Sequence, residues 1–298
     1  MNWTEYYSNP LILFNIMNSI NVAGREISIF RTEEEMKSKD YNSQRIAFLH
    51  ARNIEDLKKI AEKYHLYDNR TLYASTSEIS WKVLGWTDFN KADWKKVSIK
   101  WNKLYDSAVL SQDFILDMDY TLGGDSFDKV VREMLQVHDF FLENDVAHSV
   151  TFSGAKGFHI RIDGREIELS LTRRVKPHDL VRHREAFYIK VAQGLKEELT
   201  LDTLDFSCLG RRQPVRVPYS LHANGQVCYP LSSLEIENLP KVASHGNLLA
   251  WSKPENVLRG LLYDKEAYKN RKGFNRGLPV FNGHTKSIKK IFGWLSSG

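Results

Sequence analysis

The chain has 298 residues, 42% hydrophobic and 27% charged, a balance typical of a globular protein rather than of a disordered or fibrous one. Its two cysteines, Cys208 and Cys228, argue against a disulfide framework, so we expect a reducing, cytoplasmic location. No run of residues approaches the roughly 18 apolar positions of a membrane helix, and the first residues lack a signal-peptide pattern. We therefore expect neither a membrane helix nor a signal peptide.

The formal net charge of +5 is unevenly distributed along the chain. Residues 241–298 contain 11 Lys and Arg against 3 Asp and Glu, a formal charge of +8, which leaves −3 for residues 1–240. A basic segment on a mildly acidic body fits a polyanionic partner, and it fits a solvated helical surface equally well. Charge alone does not choose between these interpretations.

The first 110 residues predict a mixed α/β module. Hydrophobic spacing indicates, in chain order, a helix at Pro10–Ile20, a strand at Arg45–Leu49, a helix at Ile54–Tyr64 and a strand at Thr71–Ser75. Four tryptophans then alternate with lysines between residues 81 and 103, a mixture that can form a groove for stacked bases and phosphates. An amphipathic helix over Ala92–Leu104 with solvated lysines explains the same pattern, and we favour it.

Residues 113–120 predict a β-strand that carries two carboxylates. Asp117 and Asp119 are two residues apart, so their side chains share one face, while Leu116 and Met118 lie on the opposite, packed face. Adjacent like charges repel each other, so the pair is costly unless a cation lies between them. Oxygen ligands favour Mg²⁺ or Mn²⁺, and a two-metal phosphoryl- or nucleotidyl-transfer site uses such ions.

The middle of the chain continues with alternating helices and strands. We predict these elements in order: a helix that Ser126 caps and that ends at Asn144-Asp145, strands at 149–152 and 158–162, and a helix over 178–199. The dipeptide Asp163-Gly164 is a hairpin signal that closes the second of these strands. Together the elements indicate an α+β fold around a small antiparallel sheet.

The turn Ser153-Gly154-Ala155-Lys156-Gly157 leads directly into His159. A single histidine on a strand is more often structural than functional. Here, however, the backbone amides of a glycine-containing turn and Lys156 can meet phosphate oxygens, and Arg161 shares the strand face of His159. Donors for an anion beside carboxylates for a cation describe a metal–triphosphate site.

Residues 201–222 complete a pattern of four motifs. Asp202 and Asp205 each follow a leucine, and Arg216-Val217-Pro218-Tyr219-Ser220-Leu221-His222 comes after them. The Asp-x-Asp strand, the Ser-Gly-x-x-Gly-x-His turn, the later aspartate and the Arg-x-Pro-x-Ser-x-His segment, in this order, resemble the archaeo-eukaryotic primase superfamily. That superfamily contains the small catalytic subunit of DNA primase and the primase-polymerases. The resemblance covers about Arg45–Gly225, and its specificity comes from the order of motifs that are weak individually.

The resemblance implies roles for particular residues. Asp117 and Asp119 would ligate two divalent ions that bridge the incoming triphosphate and the attacking 3′-oxygen. Asp205 would be the third metal ligand, with Asp202 as its rival. Nucleotide contacts are implied for a further set of residues, the last of them in the N-terminal module: Ser153, Lys156, His159, Arg216, His222 and Arg45.

The resemblance also implies a fold and an activity. The fold would be an α+β catalytic core of two modules, with an RRM-like antiparallel sheet packed on helices. We therefore divide the chain into an N-terminal α/β module (1–110), an RRM-like catalytic module (111–240) and a basic helical segment (241–298). The activity would be that of a DNA-dependent primase-polymerase that uses (d)NTPs, a DNA template and two Mg²⁺ or Mn²⁺ ions. A large primase subunit or a helicase is a candidate partner, and a membrane is not.

One feature of the family is missing, and alternatives stay open. Replicative primase subunits commonly carry a zinc knuckle before the third aspartate, but residues 160–204 contain no cysteine and only His178 and His183 as histidines. We therefore expect no structural zinc, and an accessory or mobile-element enzyme rather than a replicative subunit. The alternatives are a gap-filling repair polymerase of the same superfamily and a non-catalytic replication-initiator module. A metal-dependent nuclease could use the aspartates but does not need the basic residues.

Overall fold

A computed structural model describes residues 2–31, 37, 45–66, 70–84, 104–120, 126–171, 177–210, 212–242 and 245–269. The helices are α1 (Trp3–Ser8), α2 (Pro10–Ser19), α3 (Ile54–Lys63), α4 (Trp81–Leu84), α5 (Phe127–Glu143), α6 (Gly164–Leu171), α7 (Pro177–Glu198), α8 (Ser233–Val242), α9 (His245–Trp251) and α10 (Pro254–Lys269). The strands are β1 (Arg25–Phe30), β2 (Arg45–Leu49), β3 (Leu72–Ile79), β4 (Val109–Gln112), β5 (Phe114–Asp119), β6 (Ser149–Phe152), β7 (Gly157–Ile162), β8 (Leu204–Asp205), β9 (Pro214–Arg216) and β10 (Tyr229–Pro230).

The first sheet is antiparallel and has the order β2-β1-β3-β4, with β9 also paired to β3. Alternate residues of its strands, among them Ile27 and Leu72, enter a core with helices α1, α2, α3 and α10. The predicted helices in this module and the strand β2 are confirmed. β3 is longer than predicted: it continues to Ile79 and includes the buried polar residues Thr76 and Ser77, which interrupt the hydrophobic pattern.

The second sheet is also antiparallel, in the order β10-β6-β7-β5-β8. Its elements β5-α5-β6-β7-α7-β8 form a β-α-β-β-α-β unit, which is the RRM-like arrangement predicted from the sequence. Leu116 and Met118 of β5 join Ile160 of β7 in a core that α5 and α7 cover. The face of β5 that carries Asp117 and Asp119 is therefore the one that the helices leave uncovered.

The hairpin predicted at Asp163-Gly164 is wrong, because the helix α6 begins at Gly164. Asp163 Oδ1 accepts the backbone N–H of Arg165 at 2.9 Å, and Asp113 Oδ1 accepts that of Gly164 at 2.9 Å. A Cβ atom on Gly164 would overlap the backbone of Gln112. The glycine thus permits a close approach to the end of β4 rather than a hairpin turn.

Several segments connect the two sheets. β9 lies after the second sheet's β8 in sequence but pairs with β3 of the first. Leu248 of α9 packs in the core of the second sheet, and Val257 and Leu261 of α10 pack in the core of the first. The division at residues 110 and 240 stays a prediction. The predicted helix over Ala92–Leu104 lies largely outside the described residues, and no described helix is long and apolar enough to cross a membrane.

Candidate active site

Three chemically important residues lie side by side across the second sheet. In the antiparallel register, Asp117 of the central strand β5 is paired with His159 of β7 on one edge and with Asp205 of β8 on the other. Directly paired residues point to the same side of a sheet. Asp205, Asp117 and His159 therefore form one row on the face opposite the helices.

The two aspartates of β5 line a pocket of about 240 Å³. The other lining residues come from the turn before β7, from β7 itself, from β9 and from the segment after it: Ser153, Ala155, Lys156, His159, Arg216 and His222. Because Arg216 belongs to the first sheet and Asp117 to the second, the pocket lies between the two sheets. All the predicted nucleotide contacts except Arg45 line it.

The environment of Asp117 and Asp119 disfavours the charged form of both carboxyl groups. Oδ1 of each is buried and accepts no hydrogen bond from a described residue, although Asp117 Oδ1 lies 3.4 Å from His159 Nε2. The pKa of Asp117 is raised to about 6, mainly by burial and also by the nearby charge of Asp205, while a hydrogen bond from Cys208 opposes the rise. Burial and the charge of Asp117 also raise the pKa of Asp119. A bound cation would relieve both effects, so this pair fits a divalent ion.

Asp205 belongs to the row, but other groups hold its carboxylate. The backbone N–H of Ser207 donates to Asp205 Oδ1 at 2.8 Å and the Ser207 hydroxyl donates to Oδ2 at 2.9 Å. No three His, Cys, Asp or Glu side chains of the described residues are gathered as a ready ligand set. Each carboxylate oxygen has a second lone pair, so Asp205 can accept from Ser207 and still offer an oxygen to an ion.

Asp202, the rival of Asp205, has a different environment. Its carboxylate is exposed and forms an ion pair with Lys129 Nζ on α5, at 2.6 Å. α5 packs on the helix-covered face of the sheet, away from the row of Asp117 and His159. The strand register thus favours Asp205 as the third carboxylate of this site.

The turn Ser153–Gly157 forms another wall of the pocket, and its last residue is paired with Asp119. Ser153 and Gly157 exchange two bonds, one backbone–backbone at 2.8 Å and one from Gly157 N–H to the Ser153 hydroxyl at 3.3 Å. Gly154 adopts a φ of +83°, which favours glycine. Arg216 Nη1 donates to the carbonyl of Ser153, so the guanidinium both supports this turn and lines the pocket.

The two histidines of the pocket are neutral at pH 7. Burial, followed by the charge of Arg216, lowers the pKa of His159 and of His222 to about 4. Positive charge in the pocket therefore comes from Lys156 and Arg216, while the histidines supply hydrogen bonds.

Two basic residues that the sequence placed beside the site are engaged elsewhere. Arg161 donates to Asp113 at 2.6 Å and to Asp163 at 3.2 Å, so the expectation that it serves as an anion donor beside His159 is wrong. Arg45 forms an ion pair with the buried Glu26 at 3.2 Å and is not among the pocket residues. Its role as a nucleotide contact stays a prediction.

The structure also reveals two residues that sequence reasoning did not identify. Cys208 Sγ donates to Asp117 Oδ2 at 3.4 Å, and no local pattern marks this cysteine. Asn224 Nδ2 donates to the carbonyl of Gly154 at 2.9 Å. In the second case the dipeptide Asn224-Gly225 is a turn signal just after His222 and could have been noticed.

Comparisons with known proteins bear on the fold. No protein-family model matches the chain, and no curated protein does. The chain is similar to the polymerase domain of Ligase D from Mycobacterium tuberculosis, solved in complex with DNA, with a TM-score of 0.52 and 15% identity over 83% of this chain and 86% of that chain. A second structure is the catalytic domain of the primase Repb′ in complex with initiator DNA, with a TM-score of 0.38 and 9% identity over 88% and 99% of the two chains. The second TM-score is too low to establish a shared fold, so of these two structures only the first supports one.

Proposed function

We propose that the chain is a DNA-dependent primase-polymerase. The premise is that it has the fold of the archaeo-eukaryotic primase superfamily. It would transfer nucleotides from (d)NTPs to a 3′-end on a DNA template. One observation carries this proposal: the row Asp205–Asp117–His159 across three strands, beside a pocket that Lys156 and Arg216 make basic. Carboxylates for cations and donors for phosphates thus share one pocket.

Asp117 and Asp119, together with Asp205, are the residues that would hold Mg²⁺ or Mn²⁺. When bound, such ions lower the pKa of the attacking 3′-hydroxyl and neutralise charge on the phosphoryl group. The raised pKa of Asp117 means that a proton competes with the ion for this carboxylate near neutral pH.

The remaining pocket residues would bind the triphosphate and stabilise the leaving pyrophosphate. Lys156 and the guanidinium of Arg216 supply positive charge at fixed positions. His159 and His222, which are neutral, donate hydrogen bonds to phosphate or sugar oxygens without adding charge. The strands β7 and β9 hold His159 and Arg216 before the substrate arrives, which lowers the cost of reorganisation during the reaction.

A gap-filling polymerase is the second candidate, since the similar structure is the polymerase domain of a ligase bound to DNA. A polymerase of this kind extends an existing end but does not start a chain. A non-catalytic DNA-binding module is a third candidate, although it would not need the buried, unbonded carboxylate oxygens of Asp117 and Asp119.

One experiment separates these candidates. Unprimed single-stranded DNA and a primer–template are each incubated with labelled NTPs or dNTPs and with Mg²⁺ or Mn²⁺, and the products are separated on a gel. Oligonucleotides without primer support the primase-polymerase. Products from the primer–template alone support the gap-filling enzyme. Incorporation that is absent under all conditions, or that persists in the Asp119→Asn variant, refutes the proposed site.

A further inference from the structure

Two tight turns meet at the pocket, and each carries one of its donors. We call residues Ser153–Gly157, with Lys156, the lysine turn, and residues His222–Gln226 the histidine turn. The histidine turn closes through bonds from His222 N–H to the Gln226 carbonyl at 2.7 Å and from Gly225 N–H to the His222 carbonyl at 2.8 Å. Each turn contains a glycine with a φ of +83°, Gly154 and Gly225.

Asn224 connects the two turns through both ends of its side-chain amide. Its Nδ2 donates to the Gly154 carbonyl at 2.9 Å, and its Oδ1 accepts the backbone N–H of Gln226 at 3.0 Å. The lysine turn also lies close to the residue that follows the histidine turn, because a Cβ atom on Gly154 would lie only 3.0 Å from the Val227 carbonyl oxygen. Although Asn224 is exposed, it therefore sets the separation of two pocket walls.

The same contacts affect how well the lysine turn can hold an anion. Two successive carbonyl oxygens of this turn accept bonds from outside it: that of Ser153 from Arg216 and that of Gly154 from Asn224. A carbonyl oxygen that is already bonded repels a phosphate less than an unbonded one, because a donor compensates its partial negative charge.

Asn224 also defines the hydrogen-bonding state of His222. The backbone N–H of Asn224 donates to His222 Nδ1 at 3.1 Å. In a neutral imidazole with Nδ1 as acceptor, the proton lies on Nε2, which becomes a donor. A turn conformation that keeps this bond thus keeps His222 ready to donate to an anion in the pocket.

We propose that Asn224 is a positioning residue for the triphosphate of the incoming nucleotide. It acts by fixing the lysine turn against the histidine turn and by holding His222 as an Nε2–H donor, and it does not touch the substrate itself. This inference rests on the proposed function, since it assigns the basic pocket to a triphosphate.

The test uses Asn224→Ala and Asn224→Asp, with Ala223→Asp as a matched control. Asn224→Ala removes both side-chain bonds. Asn224→Asp keeps the acceptor for Gln226 but loses the donor to Gly154 and adds a negative charge. Ala223→Asp adds the same charge at the neighbouring exposed position and leaves the link between the turns intact.

Two measurements are made on each variant: kcat and KM for the nucleotide and for the primer–template, and the affinity for inorganic tripolyphosphate, measured by calorimetry. We expect Asn224→Ala to raise the KM for the nucleotide about 3- to 10-fold, as for the loss of one or two hydrogen bonds, and to weaken tripolyphosphate binding by a similar factor. The kcat and the KM for the primer–template should stay within about 2-fold, because the aspartates are untouched. Ala223→Asp should change the nucleotide KM less than Asn224→Asp does.

The outcomes separate this inference from the proposed function. If the wild type binds tripolyphosphate and Asn224→Ala binds it equally well, the role of Asn224 is refuted while the polymerase assignment stands. A loss of thermal stability in Asn224→Ala without a change in tripolyphosphate binding also refutes it, because that is a purely structural effect. If the wild type neither binds tripolyphosphate nor incorporates nucleotides, both proposals fail.

Discussion

Asp202 and Asp205 show how strongly local surroundings separate two residues of the same type. Both follow a leucine, so the sequence left the choice between them open. In the structure, Asp205 is paired in register with Asp117, whereas Asp202 forms an exposed ion pair with Lys129. The strand register therefore favours Asp205 over Asp202 as the carboxylate beside the aspartates of β5.

We expect Asp205→Asn to lower nucleotide incorporation roughly 100-fold or more, because a metal ligand contributes several kcal/mol of charge stabilisation. Asp202→Asn should keep incorporation within about 2-fold, since a solvent-exposed ion pair contributes little. Steady-state incorporation on a primer–template measures both. A loss in Asp202→Asn alone would make Asp202 the third ligand instead, and an equal loss in the two variants would contradict the choice of Asp205 over Asp202.

The thiol of Cys208 affects the pKa of the neighbouring carboxyl group of Asp117. Burial raises the pKa of this thiol, so it stays protonated and donates to Asp117 Oδ2. That hydrogen bond stabilises the carboxylate and opposes the burial that raises the pKa of Asp117 to about 6. Removing the donor should therefore raise the pKa of Asp117 further, and a protonated carboxyl binds no cation.

For Cys208→Ala we expect the acid limb of the incorporation rate to move to higher pH, with the loss of activity largest below about pH 7. Cys208→Ser retains a hydroxyl donor and is the control, with a profile close to that of the wild type. The pH profile of kcat/KM in Mn²⁺ gives the measurement. Identical acid limbs in the wild type and in Cys208→Ala would show that the thiol does not act on Asp117.

At the scale of elements, regular hydrophobic patterns were sufficient to predict most of the second sheet. The helix α5 begins after its Ser126 cap, whose side chain accepts the N–H of Lys129 at 3.3 Å, and α7 follows its predicted range closely. β6 has the predicted bounds and β7 begins one residue earlier. Local periodicity carried these predictions because each element buries one face.

What local patterns could not give is the pairing between distant strands. Nothing in the composition of β5 shows that it lies between β7 and β8, although this order places Asp117 beside both His159 and Asp205. Only the order of the motifs indicated that the three residues converge. The return of β9 to the first sheet was equally hidden, because β9 is only three residues long and its pairing depends on β3.

The pairing of β5 with β7 depends on a glycine, which gives a prediction at this scale. Gly157 is paired with Asp119, and a Cβ atom there would overlap the carbonyl oxygen of Met118, which is backbone and cannot move independently. Gly157→Ala should therefore lower the free energy of unfolding by about 3 kcal/mol or more. It should also lower nucleotide incorporation, because the strand that carries the aspartates must shift.

Gly260 on α10 provides the matched control. A Cβ atom at this position meets no described atom within 4 Å, and the residue lies inside a helix. Gly260→Ala should raise the free energy of unfolding by about 0.5–1 kcal/mol, since alanine favours the helix more than glycine does. Urea denaturation compares the two variants. Similar stabilities for Gly157→Ala and the wild type would show that the two strands are packed less tightly at this point.

At the scale of the whole molecule, a buried charged bridge connects the two sheets. Arg25 of β1 forms an ion pair with Asp113 at 2.8 Å, and Arg161 of β7 forms one with the same carboxylate at 2.6 Å. Asp113 itself lies between β4 and β5, where the chain passes from the first sheet to the second. Since the pocket lies between the sheets, their relative position determines whether Arg216 and Asp117 face the same substrate.

Replacing the acidic member of such a bridge leaves two buried guanidinium groups without the carboxylate that they share. Asp113→Asn keeps the shape of the side chain but removes the charge shared by Arg25 and Arg161, so we expect unfolding to become easier by about 3–5 kcal/mol. Arg52→Ala, which breaks the exposed ion pair with Asp56, should change stability by only about 0.5 kcal/mol and serves as the control.

Urea denaturation, monitored by tryptophan fluorescence and by circular dichroism, tests two things: how much stability Asp113→Asn loses, and whether the two sheets then unfold separately. If the bridge holds the sheets in one cooperative unit, the Asp113→Asn transitions should separate between the two probes, because each sheet has its own core. In the wild type the two transitions should coincide. A variant that is destabilised by less than about 1 kcal/mol would mean that Asp163, which also accepts from Arg161 at 3.2 Å, compensates for the lost charge.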